Sequence, residues 1–219
     1  MVPSTLAEQL VLLALDDETG KLLSLPERAF DYALAGAILA DLTRAGRLKI
    51  DGDSIEIVST DPVASRPEDF GLLEIKQSAV SSLRGALSHL AAEVNGLRHK
   101  VTDQLVEKGV LRKEDHEFLW VFHYSRYPLA DQAAENVVKQ RLRNRILMPE
   151  IPATESDHLL IALAHICELD GLFLSDQEQT QQAGRLREIA RTDRIGSAVQ
   201  ACLDEIQKAL MEIRTYSGL

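Results

Sequence analysis

Aromatic residues make up only 5% of this 219-residue chain, proline occurs seven times and cysteine twice. Each shortage excludes something. Cys167 and Cys202 are far apart and match no metal-ligand spacing, so they read as reduced core thiols of a cytoplasmic protein. No apolar run reaches the roughly 20 residues of a membrane-spanning helix. The opening MVPSTLAEQL has no basic n-region and does not read as a secretory signal. Cations are outnumbered: the net charge is −10. Such a balance repels nucleic acid and anionic membrane unless the cations gather on one face. Arginine outnumbers lysine, 16 to 8, so clusters carry more information than the sum.

What is present is mostly helical pattern: Leu and Ala are abundant, and both favour helix. Thr5 and Glu8 form a T-x-x-E capping box before a helix over Leu6 to Ala14. Asp16 to Gly20 is a turn. Ser24-Leu25-Pro26-Glu27 reads as a second helix start. Phe30, Leu34, Ala37, Ile38 and Leu42 then give one apolar stripe, ending near Ala45 with Gly46 as the stop. Leu48 and Ile50, then Ile55 and Ile57, alternate with polar residues around Asp51-Gly52, a hairpin signature. Ser59 to Phe70 reads as a loop. Helical pattern resumes from Gly71 to Lys108, with a break near Asn95-Gly96. Further helices are expected over Ala130 to Leu147, Ser156 to Leu169 and Ile195 to Arg214.

Catalytic and metal motifs are thin. His116 and His123, like His158 and His165, are seven residues apart rather than one helical turn, and no H-E-x-x-H or C-x-x-C occurs. No G-x-S-x-G, P-loop or dinucleotide fingerprint appears; Glu18-Thr19-Gly20-Lys21 lacks the first glycine and the following Ser or Thr, and reads as a turn. The expectation is therefore no enzyme, no cofactor and no metal. Two cation clusters stand out. Lys139 and Arg143 share one helical face, while Arg141 and Arg145 share another about 160° away. The ordinary reading of this run is a solvated helix end suited to the helix dipole; the sharper reading is a phosphate patch. Arg98, His99 and Lys100 form the second cluster.

Few as they are, the aromatics are gathered. The only Trp, two of the five Phe and two of the four Tyr fall between Phe118 and Tyr127. Phe118, Trp120 and Phe122 alternate with other residues, giving an extended segment one aromatic face. A buried strand is the ordinary explanation; an exposed stripe marks an interface or membrane contact.

Several stretches together resemble the Golgi phosphoprotein 3 family. LVEKGVL (Leu105 to Leu111), followed by a charged turn and a closing Pro-Leu, is the most specific. EQLVLLALDDETGKL, AILADLTRAGRLKI, KQRL and LLIALAHICELDGLF follow in family order over most of the chain. The resemblance implies a mainly α single domain over 1–219: a central hydrophobic bundle, surrounding amphipathic helices and a projecting β-hairpin. It further implies a non-enzymatic peripheral membrane adaptor that binds phosphatidylinositol 4-phosphate in a pocket of one Trp and several Arg. It also implies self-association through the hairpin, here Leu111, Phe118, Trp120 and Phe122. The pocket positions carry over poorly. The Trp position falls at Leu25-Pro26, one Arg falls on Ala35, another on Asn95, and the last on Arg98, the one match. Arg28, His99 and Lys100 are the candidate replacements.

The chain starts almost directly at its first helix and is rich in Arg and Ala, which reads as a bacterial member; a Golgi location is expected only if the source is eukaryotic. Expected partners are a phosphoinositide or other anionic headgroup at the membrane surface and a second copy of the chain, with no nucleic acid. Two other readings stay open: a soluble oligomeric scaffold, suggested by the −10 charge and the lost pocket residues, and a winged-helix nucleic-acid binder. The last rests on a short echo of helix, Gly and extended chain at Leu39 to Ile50 and Val101 to Lys113, and the acidic balance opposes it.

Overall fold

Thr5 starts the first helix as expected. Its hydroxyl accepts from the Glu8 N–H at 3.2 Å, and its own N–H donates to the Glu8 carboxylate at 3.3 Å. The computed structural model describes residues 3–26, 28–63, 65–118, 122–148 and 150–216. Among them are nine α-helices: α1 (Leu6–Ala14), α2 (Ala29–Arg44), α3 (Arg66–Ser78), α4 (Leu83–Ala92), α5 (Val94–Glu107), α6 (Gln132–Leu147), α7 (Glu155–Ile166), α8 (Asp176–Thr192) and α9 (Arg194–Tyr216). Two antiparallel hairpins interrupt them, β1 (Leu48–Asp51) with β2 (Ser54–Ile57) and β3 (Glu114–Phe118) with β4 (Phe122–Arg126).

One hydrophobic core runs through these helices. Every residue of α1 is buried, and α2 buries 12 of its 16. Such all-round burial marks a helix inside a bundle. By contrast α8 buries only Leu186 and Ile189 of its 17 residues, the pattern of an outer amphipathic helix. Leu10, Leu34 and Ile38 are fully enclosed, each contributing about 2 kcal/mol by leaving water. The first face of α9 lies close on α2, where a Cβ added at Gly36 would come within 3.1 Å of Ile195 and Val199 methyls. The mainly α architecture with a hairpin is thus as the sequence suggested.

Several boundaries differ. Helix α2 starts at Ala29, and its N-cap is Arg28 at φ 63 with no side-chain cap, so Ser24 does not start it. Helix α3 begins inside the expected loop, because Pro67 is tolerated in a first turn. The long helix expected over 71–108 is three helices. Ala79, at φ 52, ends the first, and Ser82 caps the second by accepting from the Gly85 N–H at 3.1 Å. The second break falls at Glu93 rather than at Asn95-Gly96. Helix α7 stops at Ile166, before Glu168 at φ 57 and a short 3-10 turn over Asp170–Leu172.

The aromatic segment also differs. Phe118 ends β3 and Phe122 opens β4, so the two are cross-strand partners and do not follow each other along one strand. Trp120 lies outside the described residues.

Candidate functional site

The site begins at the turn after α1. Leu15 and Leu22 form an isolated antiparallel bridge, and the Asp16 N–H donates to the Lys21 carbonyl at 2.8 Å. Asp16 closes the loop from the inside, its carboxylate accepting from the Thr19 N–H at 2.7 Å. The Thr19 hydroxyl and N–H hold that carboxyl below its ordinary range. Gly20 is required twice over. It sits at φ 61, and an added Cβ would lie 2.2 Å from the Tyr127 carbonyl carbon. Only glycine takes that conformation freely and lets a second backbone approach so near.

That second backbone is the exit of the β3–β4 hairpin. The Leu129 N–H donates to the Asp17 carbonyl at 3.2 Å, and the Arg112 N–H donates to the Pro128 carbonyl at 2.9 Å. Leu111 pairs with Leu129 at the hairpin base and is 2% exposed. It is part of this chain's own core, and so offers no surface to another copy.

Turn, hairpin exit and α5 enclose a cleft of about 220 Å³, lined by Leu15, Gly20, Lys21, Leu22, Arg98, His99, Thr102 and Tyr127. Its polar wall carries three basic side chains: Lys21 from the turn, and Arg98 and His99 from α5. Among the described residues, none of the ion pairs uses any of these three. Arg98 makes one long contact, to the Asn95 amide oxygen at 3.4 Å. Asp31 on α2 is the nearby counter-charge. Burial lifts its carboxyl above the ordinary range, and the Arg28 and Arg98 guanidiniums pull the other way.

The family positions are thus split. Asn95 and Arg98 are together on α5. Ala35 is fully buried inside the bundle. Pro26 lines a different cleft, with Ala29, His165 and Leu203. Of the candidate replacements, His99 reaches the Arg98 cleft. Arg28 pairs with Asp31 at 3.2 Å and covers the Tyr32 ring, and Lys100 sits 4.8 Å over the Phe70 ring. Lys21 was missed in the sequence because it is 77 positions from Arg98; its one signal was its place directly after the turn glycine.

The other cation cluster is neutralised within the fold. Lys139 pairs with Glu135 at 2.5 Å and Arg143 with Glu178. Arg141 and Arg145 flank buried Asp157, their Nε atoms 3.0 and 3.2 Å from its two oxygens. The Arg143 guanidinium pulls the Glu178 carboxyl down to about 2. The α6 run is therefore neither a phosphate patch nor a freely solvated face; its arginines bind α6 to α7 and α8, and Lys139 pairs within α6.

Among the described residues, no helix is long and apolar enough to cross a membrane, and no group of three His, Cys, Asp or Glu could hold a metal ion. The chain is a mainly α-helical domain with a cationic cleft beside the exit of the β3–β4 hairpin. The profile of the family described as Golgi phosphoprotein 3 (GPP34) matches residues 6–206, and the chain belongs to that family. It is similar to vacuolar protein sorting-associated protein 74 of Eremothecium gossypii, with 27% identity over 197 residues, covering 76% of this chain and 59% of the relative. The protein of the same name from Schizosaccharomyces pombe is 26% identical over 214 residues, covering 80% of this chain and 63% of the relative. The chain thus spans about six-tenths of the length of these relatives. Both come from eukaryotes, so the expectation of a bacterial member finds no support.

Proposed function

We propose that this chain is a non-enzymatic peripheral adaptor that holds the phosphate of a lipid headgroup in the Lys21–Arg98–His99 cleft. One observation carries the reading: three basic side chains converge on one cleft with no carboxylate paired to them, while the α6 cations are all paired. A phosphomonoester needs converging cations or oriented N–H groups to be held tightly. Family membership supports the adaptor role, and phosphatidylinositol 4-phosphate is the first headgroup to test. Names of the relatives point to protein sorting, which fits a Golgi-associated membrane surface. The test is co-sedimentation with vesicles carrying that lipid. Arg98→Ala should weaken headgroup-dependent binding about tenfold or more, the worth of a charged hydrogen-bonded contact. Unchanged binding would refute the site.

The β3–β4 hairpin is proposed as a self-association element through Phe118, Trp120 and Phe122. The clustering of scarce aromatics supports it. Deleting Lys113 to Phe122 should lower the mass seen by light scattering; an unchanged mass would count against it. If the chain assembles and binds no lipid, the soluble scaffold reading replaces the adaptor.

A further inference from the structure

Helix α2 packs against α5, the helix that carries Arg98 and His99. Its N-cap is Arg28, which takes a left-handed backbone at φ 63 and forms no side-chain cap. That conformation is costly for a residue with a Cβ, so contacts must hold it. Two contacts do. The Arg28 Nε lies 3.2 Å from the Asp31 carboxylate, and its guanidinium lies 5.7 Å from the centre of the Tyr32 ring. Both partners belong to α2, so the Arg28 charge is spent on its own helix.

Asp31 is the third residue of α2, and its side chain is 25% exposed. Burial raises its carboxyl, while the Arg28 and Arg98 guanidiniums favour its charged form. Asp31 thus stands between two cations. It holds Arg28 in an ion pair, and it acts through space on Arg98, which belongs to the cleft. As an i,i+3 pair alone, Arg28 and Asp31 would contribute little. Their place beside the cleft gives the pair a second consequence. An anion entering there meets Lys21, Arg98 and His99, less what Asp31 draws from Arg98, and it does not meet Arg28. One phosphate finds converging cations; a second finds a carboxylate and no further guanidinium.

We propose that Asp31 sets the charge selectivity of the Lys21–Arg98–His99 cleft: it withholds Arg28 and offsets Arg98, so that the cleft takes a headgroup with one phosphomonoester and discriminates against a second. This rests on the headgroup reading above and adds to it a positioning residue, one that acts through two arginines and touches no phosphate.

The test is co-sedimentation at one fixed salt concentration with vesicles carrying phosphatidylinositol 4-phosphate and with vesicles carrying phosphatidylinositol 4,5-bisphosphate. The readout is the ratio of the two affinities, which a merely structural role for Asp31 would not move. Asp31→Asn should shift that ratio about fivefold toward the bisphosphate, the effect of one partly exposed charge pair. Arg28→Ala added to Asp31→Asn should cancel most of the shift, and Asp31→Glu, which keeps the charge, should retain the wild-type ratio. An unchanged ratio in Asp31→Asn, or an equal loss of both lipids by the folded variant, would overturn the proposal and leave the cleft standing, provided Arg98→Ala still abolishes headgroup binding. A shift that survives Arg28→Ala in full would contradict the withholding of Arg28. If Arg98→Ala binds both lipids as wild type does, the cleft assignment itself fails and the proposal falls with it.

Discussion

Helices α5 and α6 each carry a cluster of cations, and the chain treats them in opposite ways. On α6, Lys139, Arg141, Arg143 and Arg145 all meet carboxylates from α6 itself, α7 or α8. On α5, Arg98 and His99 face a cleft with Lys21 and no paired acid. The denser run in sequence is the structural one. What separates the two is chiefly the placement of Asp157 and Glu178, which local sequence around the cations does not reveal; only Glu135, four residues before Lys139, is a local partner. Charge density along a chain is therefore a poor guide to an anion site; unpaired charge in space is the better one.

The comparison breaks most visibly at Asp157. Asp157→Ala should cost about 3–5 kcal/mol, because it strands two guanidiniums at a buried site. It also removes the carboxylate that accepts from the Thr154 N–H at 3.0 Å to cap α7. Urea denaturation measures the loss, and a change below about 1 kcal/mol, the worth of a surface pair, would put the α6 cations back among solvated ones. Next comes Gly20, which shapes the cleft itself. Gly20→Ala should cost about 3 kcal/mol, from left-handed strain plus the displaced Tyr127 backbone. Lipid binding should fall with it, since the turn presents Lys21.

A third charged region, the buried acids at the start of α1, sharpens the contrast through pH. Burial raises the Asp41 carboxyl from 3.8 to about 6, against the pull of the Leu6 and Ala7 N–H groups. The native state therefore holds this proton more tightly than the unfolded chain. Its stabilising contribution is complete below about 3.8 and is lost as pH rises through about 6. On the order of 2–3 kcal/mol is at stake. Wild-type stability measured at pH 5 and 7.5 should show this contribution, and Asp41→Asn should reduce the difference. Glu178 has the opposite sign: Arg143 holds its carboxyl low, so its contribution is present above about 4.5 and is lost as pH falls toward 2. The smallest effect expected is that of Lys21→Ala alone, about fivefold weaker vesicle binding, or roughly 1 kcal/mol. Unchanged binding would reduce the cleft to Arg98 and His99.

Much of the fold was legible because its elements announce themselves locally. Thr5-Glu8 closed its capping box, and the Leu48/Ile50 and Ile55/Ile57 alternation became β1–β2 with Ile50 opposite Ile55. The misses have particular causes. Ala79 and Arg28 adopt left-handed backbone that no residue type at those positions signals. Phe118 and Phe122 alternate in sequence, yet they pair across a hairpin. The candidate site was half visible. Arg98 stood out through its family motif, but Lys21 joins it only because Gly20 lets the turn pack on Tyr127. Ala35 matched a family position whose side chain is here enclosed in the core.

The most direct measurement sets the two clusters against each other. Wild type, Lys21→Ala/Arg98→Ala and Arg143→Ala would be sedimented with neutral vesicles and with vesicles carrying phosphatidylinositol 4-phosphate, at low and physiological salt. The expected result is headgroup-dependent binding that survives physiological salt in wild type and Arg143→Ala, and is lost in the double variant. Binding by the double variant equal to wild type, or loss in the folded Arg143→Ala protein, would contradict the assignment of the unpaired cleft as the headgroup site.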